Sequence, residues 1–509
     1  MSNVLSDDEE LLNGLGSEII KPFKQGNHMA RTVKRWVSNK PSTTTGSVDI
    51  NVDGVHGPVN TESYISPGQL YSTDSGNLFH AGRILVVLVG LPATSKTLLS
   101  VAITRYTRWL GVRTKSFHFS EYKKSAKDIP SDYFCVVPKS KEGVEFIEKL
   151  RRRMLDDILS FFNGTSGQLA IYDALNIRKI DRKNLETTFS EIGVKVLFIE
   201  SIVSDQEIMN RNIALVLQSS DYRGLSTDDA VDEYMRRLAL NEPYYEMMTH
   251  DEELSYIKYI NLGKQIIVKD NIHGYLVNKI VFFLMNLRQK KGCVYFARCG
   301  TSDKDNYMHD EELNDEGIHY SKVLKNFVLN RIEQNRLAKR NSESLVEVMD
   351  GNYDRDLKTS LIVWTGPRKR THDTGLFFSK EGIKVQQRSE LRQLNPGSIA
   401  DLTDEQIMKK FPSEYTESLK DPYHFRFPRA ESYHDLAVRM EPLLLEMEHT
   451  SQDILIIAHE STLRVLYGYL MACTCVELPN LDFTREKLVE ISFSPFCNTV
   501  KLLDIPSTN

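Results

Sequence analysis

From Arg83 onward the chain alternates short apolar runs with longer stretches of mixed apolar and polar positions. Residues 1 to about 80 show neither pattern. Ile84-Leu-Val-Val-Leu-Val89 is a continuous apolar, β-branched run, as expected for a strand buried on both faces of a parallel sheet. Lys96 to Leu110 reads as a helix. Leu169 to Tyr172 and Val194 to Ile199 read as strands, and Glu142 to Phe162, Thr227 to Leu240 and Tyr275 to Leu287 as helices. This alternation predicts an α/β domain with a mainly parallel sheet over about 81–289. Arg288-Gln-Lys-Lys-Gly292 is a polar, basic junction. Beyond it, strands are expected at Cys293 to Ala297, Ser360 to Trp364 and Ile454 to Ala458. Helices are expected at Asn314 to Ile332 and Ser461 to Met471. A second α/β domain over about 290–504 follows, with 505–509 as a tail.

The segment 1–80 is rich in Ser, Thr, Asn, Gly and Asp, and cannot bury enough surface to offset its ordering entropy. It reads as a disordered linker or a regulatory segment. In the second case Ser38, behind Arg31-Thr-Val-Lys-Arg35, is a candidate for phosphorylation.

Composition narrows the class. The 509 residues suggest about three domains. A hydrophobic fraction of 41% and a charged fraction of 26% exclude a mostly disordered chain and a coiled-coil rod. A net charge of -5 gives no basic surplus for nucleic acid or an anionic membrane. The six cysteines lack regular spacing, which favours free thiols in a reducing compartment. The longest apolar run is far short of the ~20 residues a bilayer needs. These observations together predict a soluble, cytoplasmic protein.

After the first strand comes Gly90-Leu-Pro-Ala-Thr-Ser-Lys-Thr97. It matches the phosphate-loop pattern G-x-x-x-x-G-K-[ST] except that Ser95 replaces the second glycine. Backbone N–H groups of Gly90, Leu91, Ala93, Thr94 and Ser95 would curl around phosphates at a helix N-terminus, with Pro92 in the same loop supplying no donor. Lys96 would reach the outer phosphates and the Thr97 hydroxyl would ligate Mg²⁺. Ser95 adds a side chain where the backbone should approach closely, and resists positive φ. Asp173 ends a strand in Ile171-Tyr-Asp-Ala-Leu-Asn176, where a carboxylate can hold Mg²⁺ or accept a proton from a substrate hydroxyl.

These motifs resemble those of the 6-phosphofructo-2-kinase/fructose-2,6-bisphosphatase family over about residues 83–503. The likeness runs through Val89-Gly-Leu-Pro-Ala93, Tyr172-Asp-Ala174, Phe198-Ile-Glu-Ser-Ile202, Asp221-Tyr222, Tyr234-Met-Arg-Arg237, Leu254-Ser-Tyr-Ile-Lys258, Glu431-Ser-Tyr433 and His459. The resemblance implies a phosphate-loop kinase domain followed by a histidine-phosphatase, phosphoglycerate mutase-like, domain. It implies ATP and Mg²⁺ as cofactors and fructose 6-phosphate and fructose 2,6-bisphosphate as small-molecule partners. A homodimer through the kinase domain is implied too, with no role for nucleic acid or membrane.

Carried over residue by residue, Lys96 and Asp173 are the catalytic candidates and Thr97 and Asp173 the metal candidates. Lys123, Lys124, Arg236, Arg237 and Tyr245 fall at sugar-phosphate positions. Lys123 and Lys124 stand where the family has arginines, keeping the charge but losing the bidentate fork. The family's Asp-Ala-Thr-Asn-Thr-Thr-Arg becomes Asp173-Ala-Leu-Asn-Ile-Arg-Lys179, which removes hydroxyls at 175 and 177. Two family cations have no counterpart, in Ala214 to Gln218 and at Ile147. At ~1.5–3 kcal/mol for each charged hydrogen bond, these losses weaken the expected kinase.

In the second half the family's Leu-Cys-Arg-His-Gly-Glu-Ser becomes Phe296-Ala-Arg-Cys-Gly-Thr-Ser302, so the nucleophile position holds Cys299. Leu391-Arg-Gln-Leu-Asn-Pro-Gly397 puts Gln393 at the acid position, and an amide cannot protonate a leaving alkoxide. A cysteine-phosphatase rescue needs Cys-x5-Arg, but the sixth residue after Cys299 is Asp305. Arg298, Arg370 and His459 survive. The expectation is an anion basin without bisphosphatase activity, beside a weak kinase or a catalytically silent sugar-phosphate or nucleotide binder.

Overall fold

The computed structural model describes residue 68 and the spans 82–124, 129–164, 167–217, 227–269, 274–342, 360–493 and 498–506. The expectations for Ser38 and nearly all of the segment 1–80, for Asp221-Tyr222, for Cys497 and for the Lys124 side chain lie outside the described residues. Gly68 is buried, and its N–H donates to Trp109 O at 2.9 Å.

The first domain runs β1 (Ile84–Val89), α1 (Lys96–Trp109), β2 (Thr114–His118), α2 (Phe119–Lys124), α3 (Lys141–Gly164), β3 (Leu169–Asp173) and α4 (Lys179–Ser190). It continues with β4 (Lys195–Ile202), α5 (Gln206–Leu217), α6 (Thr227–Asn241), β5 (Tyr256–Ile260), β6 (Gln265–Val268) and α7 (Tyr275–Asn286). Its sheet has the order β2-β3-β1-β4-β5-β6, parallel except for the antiparallel pair β5/β6. All of β1 is inaccessible to solvent, because helices cover both faces of a central parallel strand. Leu85, Val87 and Val89 face Met154, Ile158 and Phe162 of α3. Ile84, Val86 and Leu88 face Leu99, Ile103 and Tyr106 of α1.

The second domain runs β7 (Val294–Arg298), α8 (Asp315–Ser342), β8 (Leu361–Thr365), α9 (Lys369–Ser379), β9 (Lys384–Gln387), α10 (Asp404–Lys410) and α11 (Pro412–Lys420). Then come α12 (Tyr433–His449), β10 (Asp453–Ala458), α13 (Glu460–Leu470), β11 (Lys487–Phe493) and β12 (Asn498–Asp504). The order is β12-β11-β7-β10-β8-β9, with β7, β10, β8 and β9 parallel and β11 antiparallel to both its neighbours. Both sheets are therefore mixed but mainly parallel.

The two domains share one apolar core. Tyr106 stacks on Phe283 at 4.4 Å, and Trp109 meets the edge of Tyr469 at 5.6 Å. Around them α1 and α7 of the first domain pack on Leu443, Leu444 and Met447 of α12 and on α13. Among the described residues the five cysteines are free, and no helix is long and apolar enough to cross a membrane.

Candidate active sites

The first site forms where β1, β2 and β3 end together. Register places Leu88 and His118 on either side of Asp173. Gly90 leaves β1 at φ 147, a left-handed conformation open to glycine, and a Cβ there would meet Ser201 O at 2.6 Å. Ala93 and Ser95 are also left-handed, both at φ 63. That conformation costs an L side chain about 1–2 kcal/mol. Neighbouring side chains hold the curl. Asn212 Nδ2 donates to Ala93 O at 2.7 Å, and Ser201 Oγ donates to Thr94 O. Thr94 Oγ1 donates to Leu91 O at 2.9 Å. Ser95 thus accepts the glycine-like conformation that the sequence argued against, and the loss of glycine appears as strain rather than as a new path. Its Oγ is buried without a hydrogen-bond partner and does not cap α1.

Lys96 Nζ donates to the carbonyls of Gly90 at 2.8 Å and Leu91 at 2.6 Å. Burial pushes its ammonium down to about 8, with Asp173 pulling the other way, so it is charged at neutral pH. Thr97 Oγ1 donates to Asp173 Oδ2 at 3.1 Å, and His118 Nδ1 lies 2.8 Å from the same oxygen. Burial disfavours the Asp173 charge, but the His118 hydrogen bond, the Lys96 ammonium and Thr97 outweigh it. They hold the carboxyl below its ordinary range. Sequence reasoning did not single out His118. Its only sequence signal is a polar residue at the end of Thr114–His118, a run too mixed in pattern to read as a strand.

The sugar-phosphate candidates gather around two aromatic rings. Lys123 Nζ donates to Tyr133 OH at 2.7 Å and lies 4.4 Å from that ring's centre. Arg237 lies 5.4 Å from both Tyr133 and Phe134, and exposed Arg236 lies 6.0 Å from Phe134. Tyr245 is engaged elsewhere: its hydroxyl donates to buried Glu200 at 2.7 Å. Ile177, where the resemblance leads one to expect a hydroxyl, is fully buried, and Ile147 lies on the core face of α3.

The second site forms at the ends of β7, β10 and β8, where Ala458 pairs with Arg298 and Ile457 with Thr365. These strand ends bring Arg298, Cys299, His459 and Arg370 together. Fully buried Cys299 has its Sγ 3.8 Å from His459 Nε2. Arg370 Nε and Nη2 approach that same Nε2 at 3.1 and 2.9 Å. Burial, then Arg370, Arg368 and Arg298, push His459 down to about 3. The imidazole is neutral and accepts at Nε2, so it has no proton there to give. Arg298 reaches Phe483 O at 3.3 Å and Glu460 at 3.6 Å, and its Nε is buried without a hydrogen-bond partner. The Gln393 segment lies beside the start of α13, where Leu394 N meets Ser461 Oγ at 3.3 Å. Gln393 Oε1 is buried without a partner.

Sequence reasoning missed Arg485 and met Asp305 only as the residue that breaks a Cys-x5-Arg pattern. Asp305 pairs with Arg370, and Arg485 Nη2 reaches Asp305 Oδ2 at 3.0 Å. Arg485 Nε also donates to Cys299 O at 2.8 Å. Arg485 comes from the loop before β11, a distance in sequence that no local motif bridges.

A phosphate loop with a carboxylate at the next strand tip, joined to a domain whose strand ends gather two arginines and a histidine, defines a phosphoryl-transfer domain fused to a histidine-phosphatase fold. The comparisons agree. The family described as 6-phosphofructo-2-kinase matches residues 71–291, and the histidine phosphatase superfamily (branch 1) matches residues 351–505. The chain is 88% identical over 509 residues, all of both chains, to the Saccharomyces cerevisiae protein named "Putative 6-phosphofructo-2-kinase/fructose-2,6-bisphosphatase YLR345W". It is 31% identical over 414 residues to 6-phosphofructo-2-kinase/fructose-2,6-bisphosphatase 4 of Rattus norvegicus, covering 80% of this chain and 82% of that one. It is also 31% identical over 441 residues to 6-phosphofructo-2-kinase 1 of Saccharomyces cerevisiae, covering 83% and 51%. The chain belongs to the 6-phosphofructo-2-kinase/fructose-2,6-bisphosphatase family.

Proposed function

We propose that the first domain is an ATP-dependent kinase for fructose 6-phosphate and that the second no longer hydrolyses fructose 2,6-bisphosphate. The Lys96–Thr97–Asp173–His118 arrangement carries the kinase reading. Both bonds to Asp173 fall on Oδ2, which leaves Oδ1 to take a proton from a sugar hydroxyl. His118 and Lys96 keep that carboxylate ionised, and so free to accept a proton. Charged Lys96 at the start of α1 suits the outer phosphates of a nucleotide. Lys123, on the helix that follows β2, and Arg236 and Arg237, on α6, suit the phosphate on the sugar.

A hydroxyl and a carboxylate, Thr97 and Asp173, form a hard oxygen donor set that fits Mg²⁺. When bound there, Mg²⁺ would neutralise charge developing on the transferred phosphoryl group. Strain at Ser95 and the buried apolar Ile177 favour a slow enzyme, or at the extreme a silent binder.

The experiment is sugar-dependent ADP release from Mg-ATP and fructose 6-phosphate, with Asp173→Asn as control. Sugar-dependent release that Asp173→Asn abolishes supports the kinase. Mg-ATP binding with no sugar-dependent release would replace it with the silent binder.

A further inference from the structure

The basin of the second domain already contains an anion, and the chain itself supplies it. Arg370 is buried, and its Nη1 pairs with Asp305 Oδ1. Arg485 meets both oxygens of the same carboxylate, at 3.2 and 3.0 Å. The Arg370 guanidinium also faces His459, and Arg485 holds the carbonyl of Cys299. The Asp305 carboxylate therefore lies among the groups that would receive a phosphoryl group. A planar carboxylate and a phosphate compete for the same arginine donors.

The loop bearing Asp305 is fastened on both sides. Arg368 lies 4.4 Å over the Tyr307 ring, donates to Tyr307 O, and reaches the carbonyls of Asn306 and His309, each at 3.4 Å. Asp401 accepts from Tyr307 N at 2.6 Å and from Met308 N at 2.8 Å. Lys369 N donates to Asp310 at 2.9 Å. Asp305 itself turns at φ 44, a left-handed conformation that aspartate tolerates better than most residues. The side chain is thus carried by a held loop and engaged by two arginines.

We propose that Asp305 closes the basin: it satisfies Arg370 and Arg485 in place of a phosphoryl group and excludes phosphate esters from the second domain. This inference does not depend on whether the first domain is an active kinase. A phosphate entering beside Asp305 meets a like charge and must displace two ion pairs, and juxtaposed like charges oppose binding. The Asp305 side chain is 35% exposed, which reduces that cost, so the expected effect on phosphate affinity is a factor of at least about ten.

The test is calorimetric titration of inorganic phosphate into the full chain at pH 7.5 and fixed ionic strength. The proteins are wild type, Asp305→Asn, Arg370→Ala and the two substitutions together. The expected result is a phosphate site in Asp305→Asn that is lost when Arg370→Ala is added. Any phosphate taken up by wild type, at the phosphate loop for instance, should be unchanged by Arg370→Ala alone. A wild-type phosphate site that disappears in Arg370→Ala would overturn the proposal, and this arm decides even if Asp305→Asn folds poorly. Asp305→Ser offers a second, smaller replacement. Absence of a new Arg370-dependent site in whichever of these two variants folds would also overturn it. Fructose 6-phosphate turnover, read in parallel, should be equal in wild type and Asp305→Asn.

Discussion

Arg105 donates to Glu448 at 2.7 Å, and both side chains are buried between the two domains. Arg105 lies on α1, the helix that opens at the phosphate loop, about 13 Å along its axis from Lys96. Glu448 lies near the end of α12 and also accepts from Tyr469 OH at 2.7 Å. Burial opposes the charge on Glu448, but Arg105, Lys290 and Tyr469 outweigh it and hold the carboxyl below its ordinary range. The helix that carries the phosphate loop is therefore anchored in the second domain.

Removing one member of this pair leaves an uncompensated buried charge. Glu448→Gln should destabilise the folded chain by about 3–5 kcal/mol in urea unfolding. Arg105→Met combined with Glu448→Leu should cost less than either single change, because neither charge then remains. A double variant as unstable as the sum of the singles would show that packing, not charge, dominates the junction.

Much of this arrangement was legible in the sequence, and for identifiable reasons. The β1 run, the Lys96-Thr97 pair and Asp173 are local signals, and local signals survive without knowledge of the fold. Strands β2, β5, β6, β9, β11 and β12 were not named. Several are short or mix charged with apolar residues, as in Lys384–Gln387, so their pattern is weak. Cys299 and Gln393 stand out only against the motifs of the family that the chain resembles. Asp305 was noticed only for not being an arginine. Its real partner, Arg485, is far away in sequence, and only the strand order of the second sheet brings the two together.

Ser95→Gly should relieve the strain of a left-handed serine and the cost of its unpartnered hydroxyl. The expected gains are about 1 kcal/mol in stability and about tenfold in Mg-ATP affinity, since 1.4 kcal/mol is tenfold. Calorimetry with Mg-ATP on both proteins checks this. Unchanged affinity would move the weakness of the loop to the cations missing elsewhere.

His459 ties stability to acid. Its ordinary value is 6.5 and its folded value is about 3. Above pH 6.5 neither folded nor unfolded chain is protonated there, so it contributes no pH dependence. Below 6.5 the unfolded chain binds a proton that the folded chain refuses, and stability is lost progressively toward pH 3. Between pH 7.5 and 5.5 this single group should cost about 1.4 kcal/mol. Urea midpoints of wild type should fall more steeply over that interval than those of His459→Asn. Parallel pH profiles would mean that His459 is protonated in the fold, and the hydrogen bonds it accepts from Arg370 would then be misassigned.

On the proposed inactivity of the second domain, hydrolysis should require three changes, one for each requirement that the proposal holds unmet. A phosphoryl group needs a nucleophile, and the family resemblance puts Cys299 where a histidine is expected. The leaving sugar oxygen needs a proton, and neither the Gln393 amide nor neutral His459 can supply one. The ester must also reach Arg370, and the Asp305 carboxylate is already there. Cys299→His alone should trap phosphohistidine slowly at best. Cys299→His with Gln393→Glu supplies nucleophile and acid but leaves the basin closed, so phosphate release from fructose 2,6-bisphosphate should remain near background. Adding Asp305→Asn should raise release at least about tenfold over the double variant, the factor expected from removing the competing anion. Equal rates in the double and triple variants would show that Asp305 does not obstruct the ester. Wild-type release that vanishes on Arg298→Ala would show instead that Cys299, or another group in the basin, already performs the chemistry.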